Sequence, residues 1–359
     1  MNVGDTIQQW TDAGDSVAVA TVVETKNSAP APAGTKMAIN DHGAVVGAVS
    51  GGCVEGAVVD VAEEILAGAE PRVLTFGIAD EDAWEVGLPC GGEISVWVEA
   101  YEPSGLSAAF GHLARDGTRA AMVTLIAGAE RPGAKLLVTV DEPPQGTLGD
   151  SGLDATALGL AQDALWSERS ELLERAGITF FVDVAAPPPR LIIIGAVDFA
   201  AALSAVAAPT GWRTFVIDPR SRFATPERFP AAERVIDAWP EEALAQLETI
   251  DRATAIAVLT HDPKLDDAAL LAALASDAGY IGAMGSRRAQ ERRRDRLIAA
   301  GVNPAELDRV SAPIGLDLGA LTATDTALSI ISEIIALRNG RTGGRLSDKH
   351  GRIHDAIAA

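Results

Sequence analysis

A chain of 359 residues and 37.1 kDa, 48% hydrophobic and 22% charged, buries a sizeable core, offers room for two or three domains and excludes disorder as its main state. A formal net charge of −21 and a pI near 4.6 exclude a general nucleic-acid binder, which needs a basic face, and disfavour an anionic membrane surface as partner. Two cysteines, Cys53 and Cys90, make no disulfide scaffold and suit a reducing cytoplasm; residues 1–15 read as no signal peptide, and the longest aliphatic runs are too short to span a bilayer.

The first half, residues 1–186, reads as one α/β domain with a weak internal repeat. Thr21-Val22-Val23 leads to Gly34-Thr35-Lys36-Met37 and then to Gly43-Ala44-Val45-Val46-Gly47. Thr124-Leu125-Ile126 leads to Gly133-Ala134-Lys135-Leu136 and then to Gly146-Thr147-Leu148-Gly149. A helix and a closing strand follow in each, the strand at 93–99 in the first copy and 178–184 in the second. Glycine and alanine are frequent enough to align by chance, but the element order repeats too. That favours two related halves, about 1–103 and 104–186.

In the first half, a strand over 44–49 runs into Ser50-Gly51-Gly52-Cys53 and then a helix whose Val54, Val58, Val61 and Ile65 share one face. Free N–H groups at such a helix start attract anions, and glycine lets a ligand approach the backbone. The helix dipole there favours a thiolate, so Cys53 is expected to have a depressed thiol pKa. The plainer reading, a tight turn around a small buried residue, stands beside this one. Leu88-Pro89-Cys90-Gly91-Gly92 is a second thiol-bearing loop, ahead of the closing strand. The second copy has neither cysteine; its counterpart reads Asp150-Ser151-Gly152, so the first copy holds the active loop. Neither cysteine sits in a C-x-x-C, and no histidine spacing completes a zinc set, so no metal site is assigned. The proline-rich loop 24–34 either covers a ligand on the Ser50–Cys53 turn or is an ordinary connection.

Pro187-Pro188-Pro189 is a stiff linker. Beyond it, over 190–340, strand-length apolar runs at 191–194, 214–218, 255–259 and 280–284, with shorter ones at 235–236 and 309–311, alternate with helical stretches at 199–208, 241–247, 265–276, 287–299 and 324–337. Buried strands alternating with helices predict a Rossmann-like, doubly wound parallel sheet, with 341–359 as a polar tail. Gly195-Ala196-Val197-Asp198-Phe199-Ala200 follows the first strand, but Val197 replaces the middle glycine of the dinucleotide fingerprint and Asp198 would repel phosphate. Asp218, ending the second strand, is either a ribose-binding acid or a turn residue before Pro219. Thr260-His261-Asp262, Gly285-Ser286-Arg287-Arg288 and Ala312-Pro313-Ile314-Gly315-Leu316-Asp317 also follow strand ends and converge on one crevice. Ser286 with Arg287 and Arg288 reads as a phosphate seat; the run Arg292-Arg293-Arg294 reads as a solvated helix face with no role. His261 is either an acid, base or ligand, or a structural residue.

Taken together, Ser50-Gly51-Gly52-Cys53-Val54-Glu55-Gly56, the run from Asp80-Glu81-Asp82 to Leu88-Pro89-Cys90-Gly91-Gly92, Leu259-Thr260-His261-Asp262-Pro263-Lys264, Gly285-Ser286-Arg287-Arg288 and Ala312-Pro313-Ile314-Gly315-Leu316-Asp317 resemble the XdhC/CoxI family, accessory proteins of xanthine dehydrogenase and related molybdenum hydroxylases. The resemblance runs from about Val17 to Arg338. It implies a chaperone, more a carrier than an enzyme, that binds molybdenum cofactor (molybdopterin or its cytosine dinucleotide form), supports its sulfuration and delivers it to an apo-hydroxylase. It further implies a cysteine desulfurase as a partner, a homodimer and a cytoplasmic location. The candidate site residues are then Ser50 and the thiols and glycines of the two loops, with Thr260, His261, Asp262, Gly285, Ser286, Arg287 and Arg288 of the motifs, joined in the crevice by Gly195 and Asp218 from the fingerprint reading above. A soft thiolate suits molybdenum or sulfur chemistry. The alternative is an NAD(P)-binding oxidoreductase using the Rossmann-like domain, against which Val197 and Asp198 count; a third reading is a nucleotide-binding regulatory module.

Overall fold

A computed structural model of the chain describes residues 3–26, 31–77, 92–247 and 249–348. The chain divides into two compact units, Met1–Pro187 and Pro188–Ala359, with the break inside the proline run.

The first unit opens with α1 (Val3–Ala13), whose Val3, Ile7 and Trp10 pack against Val17, Val19 and Ala38. This helix is hidden in the sequence behind its polar outer face. Then come β1 (Val17–Lys26), β2 (Lys36–Asn40), β3 (Val45–Gly47), α2 (Glu55–Leu66), β4 (Arg72–Phe76) and β5 (Glu93–Ala100). The same succession follows again as α3 (Leu106–Arg115), β6 (Ala120–Ala127), β7 (Lys135–Thr139), β8 (Gln145–Thr147), α4 (Ser151–Ser167), β9 (Glu171–Arg175) and β10 (Ile178–Ala185). Each half builds a five-stranded antiparallel sheet in the same order, β3-β2-β1-β5-β4 and β8-β7-β6-β10-β9. Thr21 stands opposite Lys36 and Trp97, and Thr124 opposite Lys135 and Phe181, so register as well as order is shared.

One face of each sheet is sealed by a helix. Val58, Ala62 and Ile65 of α2 pack on Ala20, Val22, Ile39 and Val96; Ala157, Ala161 and Ala164 of α4 pack on Ala121, Val123, Leu136 and Val182. The opposite faces meet through Val23, Trp97, Ile126 and Phe181. Strand β1 is therefore buried on both sides along most of its length, which is why it reads as an unbroken apolar run. Lys36 pairs with Asp183, and Lys135 with Glu99 at 2.5 Å, each ion pair crossing from one half to the other.

The second unit contains β11 (Arg190–Ile194), α5 (Asp198–Ala207), β12 (Arg213–Ile217), β13 (Arg234–Ile236), α6 (Pro240–Leu244), β14 (Thr254–Val258), α7 (Pro263–Leu274), β15 (Tyr280–Ala283), α8 (Arg287–Ala299), β16 (Val310–Ser311) and α9 (Ala323–Arg338). Its six strands are parallel, in the order β13-β12-β11-β14-β15-β16. Ile192, Ile194, Phe215, Ile217, Ile256 and Val258 point to one face with Leu265 and Leu270 of α7; Leu191, Ile193, Val216, Ala255 and Ala257 point to the other with Leu203 of α5 and Ile330 of α9. The order reverses between β11 and β14, so a crevice is expected at the carboxyl ends of these two strands. Among the described residues no helix is long and apolar enough to cross a membrane.

Candidate functional site

In the first unit the expected strand over 44–49 is only the three residues of β3, and the chain then turns away from the sheet. Val49 drops into the core, and Ser50 is buried at its base. Gly51 and Gly52 follow at φ +80° and +116°, values that an L side chain rarely adopts, with open space where a Cβ would stand. The loop is held by a side chain that sequence reasoning left out of the site. Glu55, the first residue of α2, turns its carboxylate back on the loop. It accepts from the N–H of Ser50 (2.8 Å), Gly51 (3.0 Å), Gly52 (2.8 Å), Val49 and Val54 (both 3.2 Å), and from the Ser50 hydroxyl (2.6 Å). The Ser50 oxygen in turn accepts from the N–H of Cys53 and Val54. Partial burial pushes the Glu55 carboxyl up, but the hydrogen bonds from Ser50 and the loop N–H groups outweigh it and hold it at about 2.

The expectation that these N–H groups receive a ligand anion is therefore corrected. The anion site exists, and Glu55 fills it. What the loop does present is Cys53, exposed on the turn that Glu55 braces, with no disulfide partner among the described residues. Cys90 and Gly91 lie outside the described residues. Gly92 is buried just before β5, next to Glu93, which bonds Lys26 at 2.5 Å. Of the loop 24–34, Ala31 packs on the cluster that holds Val49 and Val54.

In the second unit the loops after β11, β12, β14 and β15 meet at the sheet's carboxyl edge. Gly195, at φ +112°, allows close approach to the next loop; a Cβ there would stand 2.6 Å from the Thr260 methyl. Asp218 is fully buried and fully engaged. Its carboxylate accepts from the N–H of Ala196 (2.7 Å) and Arg220 (2.9 Å), and from the Arg220 guanidinium at 2.8 and 2.7 Å. Burial pushes its carboxyl up, but the Arg220 and Ala196 bonds win and hold it below the usual carboxylate range. A ribose-binding role for Asp218 is thus corrected to that of a brace between the first two loops. Arg228 reaches over the same loop, donating to the Ala196 carbonyl at 3.0 Å and pairing with Asp198 at 3.4 Å.

Thr260 is buried and donates to Asp266, whose other oxygen accepts from Arg293 at 2.6 Å. Arg293 also donates to Gln290 and to the Met284 carbonyl (2.9 Å), which ties the β14 and β15 loops together. Beside this network lies a cavity of about 230 Å³ walled by His261, Gly285, Ala289, Arg292, Arg293 and Arg296. Its cations are not those expected. Arg287 and Arg288 are exposed to solvent and do not line it, and Ser286 caps α8 by accepting from the Ala289 N–H at 3.3 Å. The arginines read as a solvated face line it instead, because Ala289, Arg292, Arg293 and Arg296 recur at helical spacing and share one side of α8, but two of them are already answered: Arg293 by Asp266, which is also on the wall, and Arg296 by Asp267 at 2.6 and 2.8 Å. Asp262 caps α7 by accepting from the Lys264 N–H at 2.9 Å, and His261 is exposed at the cavity wall. The Ala312–Asp317 segment is braced by Glu333 of α9. Its carboxylate accepts from the Gly315 N–H at 2.8 Å and from the Tyr280 hydroxyl, whose pKa burial and that carboxylate push far up.

Comparison with known proteins agrees with both units. The XdhC and CoxI family profile matches residues 10–77 and 113–176, one segment in each half of the first unit, and the XdhC Rossmann domain profile matches 191–334. A Bacillus subtilis protein described as a probable xanthine dehydrogenase subunit is 28% identical over 90% of this chain and 94% of its own. An Escherichia coli protein described as the molybdenum cofactor insertion chaperone PaoD is 26% identical over 90% of this chain and 84% of its own. A crystal structure described as a xanthine dehydrogenase from Bacillus halodurans shares the fold, with a TM-score of 0.62 at 22% identity over 95% of this chain and 97% of its own. With two profiles of one family covering more than half of its length, in the order its motifs follow, the chain belongs to the XdhC and CoxI family.

Proposed function

We propose that this protein is a maturation factor that takes molybdenum cofactor as cargo, holds it while a terminal sulfur is installed and inserts it into a hydroxylase of the xanthine dehydrogenase type. The observation that carries this reading is the likeness, along nine-tenths of the chain, to a protein described as a molybdenum cofactor insertion chaperone. The geometry supports it at one atom. An exposed Cys53 sulfur on a glycine turn that Glu55 braces is a soft donor left uncovered by the described residues, which suits a molybdenum or sulfur ligand. The same loop does not suit the cargo's phosphate, because its N–H donors already serve Glu55. In this reading a cysteine desulfurase supplies the sulfur, the protein works in the cytoplasm as a homodimer, and the nucleotide half of a cytosine dinucleotide cofactor, rather than NAD(P), uses the crevice.

Purification under anaerobic conditions from molybdenum-replete cells tests the proposal. Wild type carries pterin and molybdenum and restores sulfurated activity to an apo-hydroxylase. Cys53→Ala keeps its fold and loses at least tenfold in restored activity. A wild-type protein free of pterin, and indifferent to added molybdopterin, sinks the carrier reading; a Cys53→Ala protein that delivers as well as wild type sinks the thiol's role.

A further inference from the structure

The two halves of the first unit enclose a second cavity, of about 370 Å³, between their sheets and the helices α1 and α3. Trp97, Tyr101, Phe110, Met122 and Phe181 wall it, and Lys36, Glu99, Asp183 and Arg115 reach it. A mainly apolar, aromatic cavity of this size with a few convergent polar groups is the usual form of a small-molecule site. Three details make it more than a packing gap. First, the halves differ here where they otherwise match: Trp97 stands at the position that Phe181 holds in the other half. Second, the Trp97 indole N–H is buried and has no hydrogen-bond partner among the described residues, although buried donors are normally satisfied. Third, the charges do not cancel. Lys36 is answered by Asp183, and Glu99 by Lys135. Among the described residues Arg115 meets the Gly4 carbonyl at 3.4 Å and a ring nitrogen of His112 at 2.7 Å, and no carboxylate. Burial raises the pKa of the Tyr101 hydroxyl on the same wall, and the Arg115 charge offsets part of that rise.

We infer that this cavity binds a flat aromatic monoanion of one or two rings, its ring between Trp97, Phe110 and Phe181 and its charged end at Arg115. A carboxylate or sulfonate supplies the missing counter-charge, and an acceptor atom on the ring can meet the Trp97 N–H. The site is independent of the thiol loop and stands or falls apart from the molybdenum cofactor reading.

The test uses the full chain and 2-naphthoate as probe, followed by quenching of tryptophan fluorescence and by thermal shift, with the neutral 2-naphthamide alongside. Wild type binds naphthoate saturably and naphthamide at least tenfold more weakly. Arg115→Gln loses at least tenfold in naphthoate affinity and erases the preference for charge. Gly111→Leu fills the cavity: Gly111 lines it, and an added Cβ would meet nothing nearer than an Arg115 nitrogen at 3.8 Å, so the variant folds and binds no naphthoate. Wild type without saturation below about 1 mM overturns the inference. So does equal affinity for acid and amide, or unchanged binding in either variant.

Discussion

The two halves of the first unit share strand order, register and the core positions of their covering helices, and they part in backbone at the turn before those helices. Helix α4 begins at Ser151, capped by Asp150, which accepts from the N–H of Gly152 (2.8 Å) and Leu153 (3.1 Å). Helix α2 begins only at Glu55, and the residues ahead of it form a glycine loop. In each half an acid of the first turn reaches back to the preceding loop. Asp154 accepts from the Leu148 N–H (2.7 Å) and the Thr147 hydroxyl (2.8 Å), as Glu55 does from Val49 and Ser50. The extra methylene of glutamate lets Glu55 also collect Gly51 and Gly52. One half thus keeps a closed helix start, while the other gives up a helical turn for an exposed thiol, and Val49 and Leu148 stay buried alike. The difference between the halves is an edit of a helix N-terminus, made possible by a carboxylate that satisfies the donors the edit frees.

The largest expected effect comes from what joins the halves. Asp183 is 5% exposed and relies on Lys36 and on the Ser170 hydroxyl at 3.0 Å. Lys36→Met strands that buried carboxylate and costs about 3 kcal/mol, because removing one partner of a buried pair leaves an uncompensated charge. Lys135→Met costs less, about 2 kcal/mol, since Glu99 at 15% exposed keeps more water than Asp183 at 5%. Urea unfolding followed by circular dichroism measures both. Equal losses would mean the two crossed pairs are energetically the same and the halves symmetric at their junction. Asp183→Asn added to Lys36→Met recovers part of the loss if the stranded charge is its cause.

Next in size is Glu55. Glu55→Ala frees five loop N–H groups and costs about 2 kcal/mol after allowance for the carboxylate's partial contact with solvent, against about 1 kcal/mol for Asp154→Ala. The pH dependence has a definite sign. The folded pKa of about 2 lies below the ordinary 4.5, so this stabilisation is fully present above pH 4.5 and drains away as pH falls toward 2. Acid titration of melting temperature is therefore shallower for Glu55→Gln than for wild type between pH 4.5 and 2. Parallel curves would remove Glu55 as the anion of the loop.

Glu55 also marks what the sequence leaves illegible. The second unit can be read almost whole, since parallel strands buried on both faces appear as short apolar runs: Arg190–Ile194 and Thr254–Val258 are buried throughout. In the first unit the repeated glycines betray the two halves, but pairing direction leaves no trace in strands as uniformly buried as β1. The candidate site is half legible. The turn at Ser50–Cys53 shows in its glycines and the following apolar face. That its N–H groups are spoken for depends on a side chain folding back across one turn, and only the five-residue spacing from Ser50 to Glu55 hints at it. Arg293 hides likewise: a run of arginines suggests solvent, yet Arg293 and Leu297, four apart, are the buried residues of α8.

The smallest effect on stability belongs to the residue at the centre of the proposed function. Cys53 is exposed and its side chain carries no packing load, so Cys53→Ala shifts stability by less than about 0.5 kcal/mol. Its position in the other half is filled by Gly152, inside the first turn of α4, where an added Cβ would stand 3.0 Å from an Asp150 carboxylate oxygen. Transplanting the thiol as Gly152→Cys therefore places it on a closed helix start beside a carboxylate, not on an open loop. Alkylation by iodoacetamide under native conditions separates the two settings: in a Cys53→Ala, Gly152→Cys protein the thiol at 152 reacts several-fold more slowly than the native thiol at 53. Equal rates would show that the missing helical turn does nothing for the sulfur, and the difference between the halves would then be one of residue type alone.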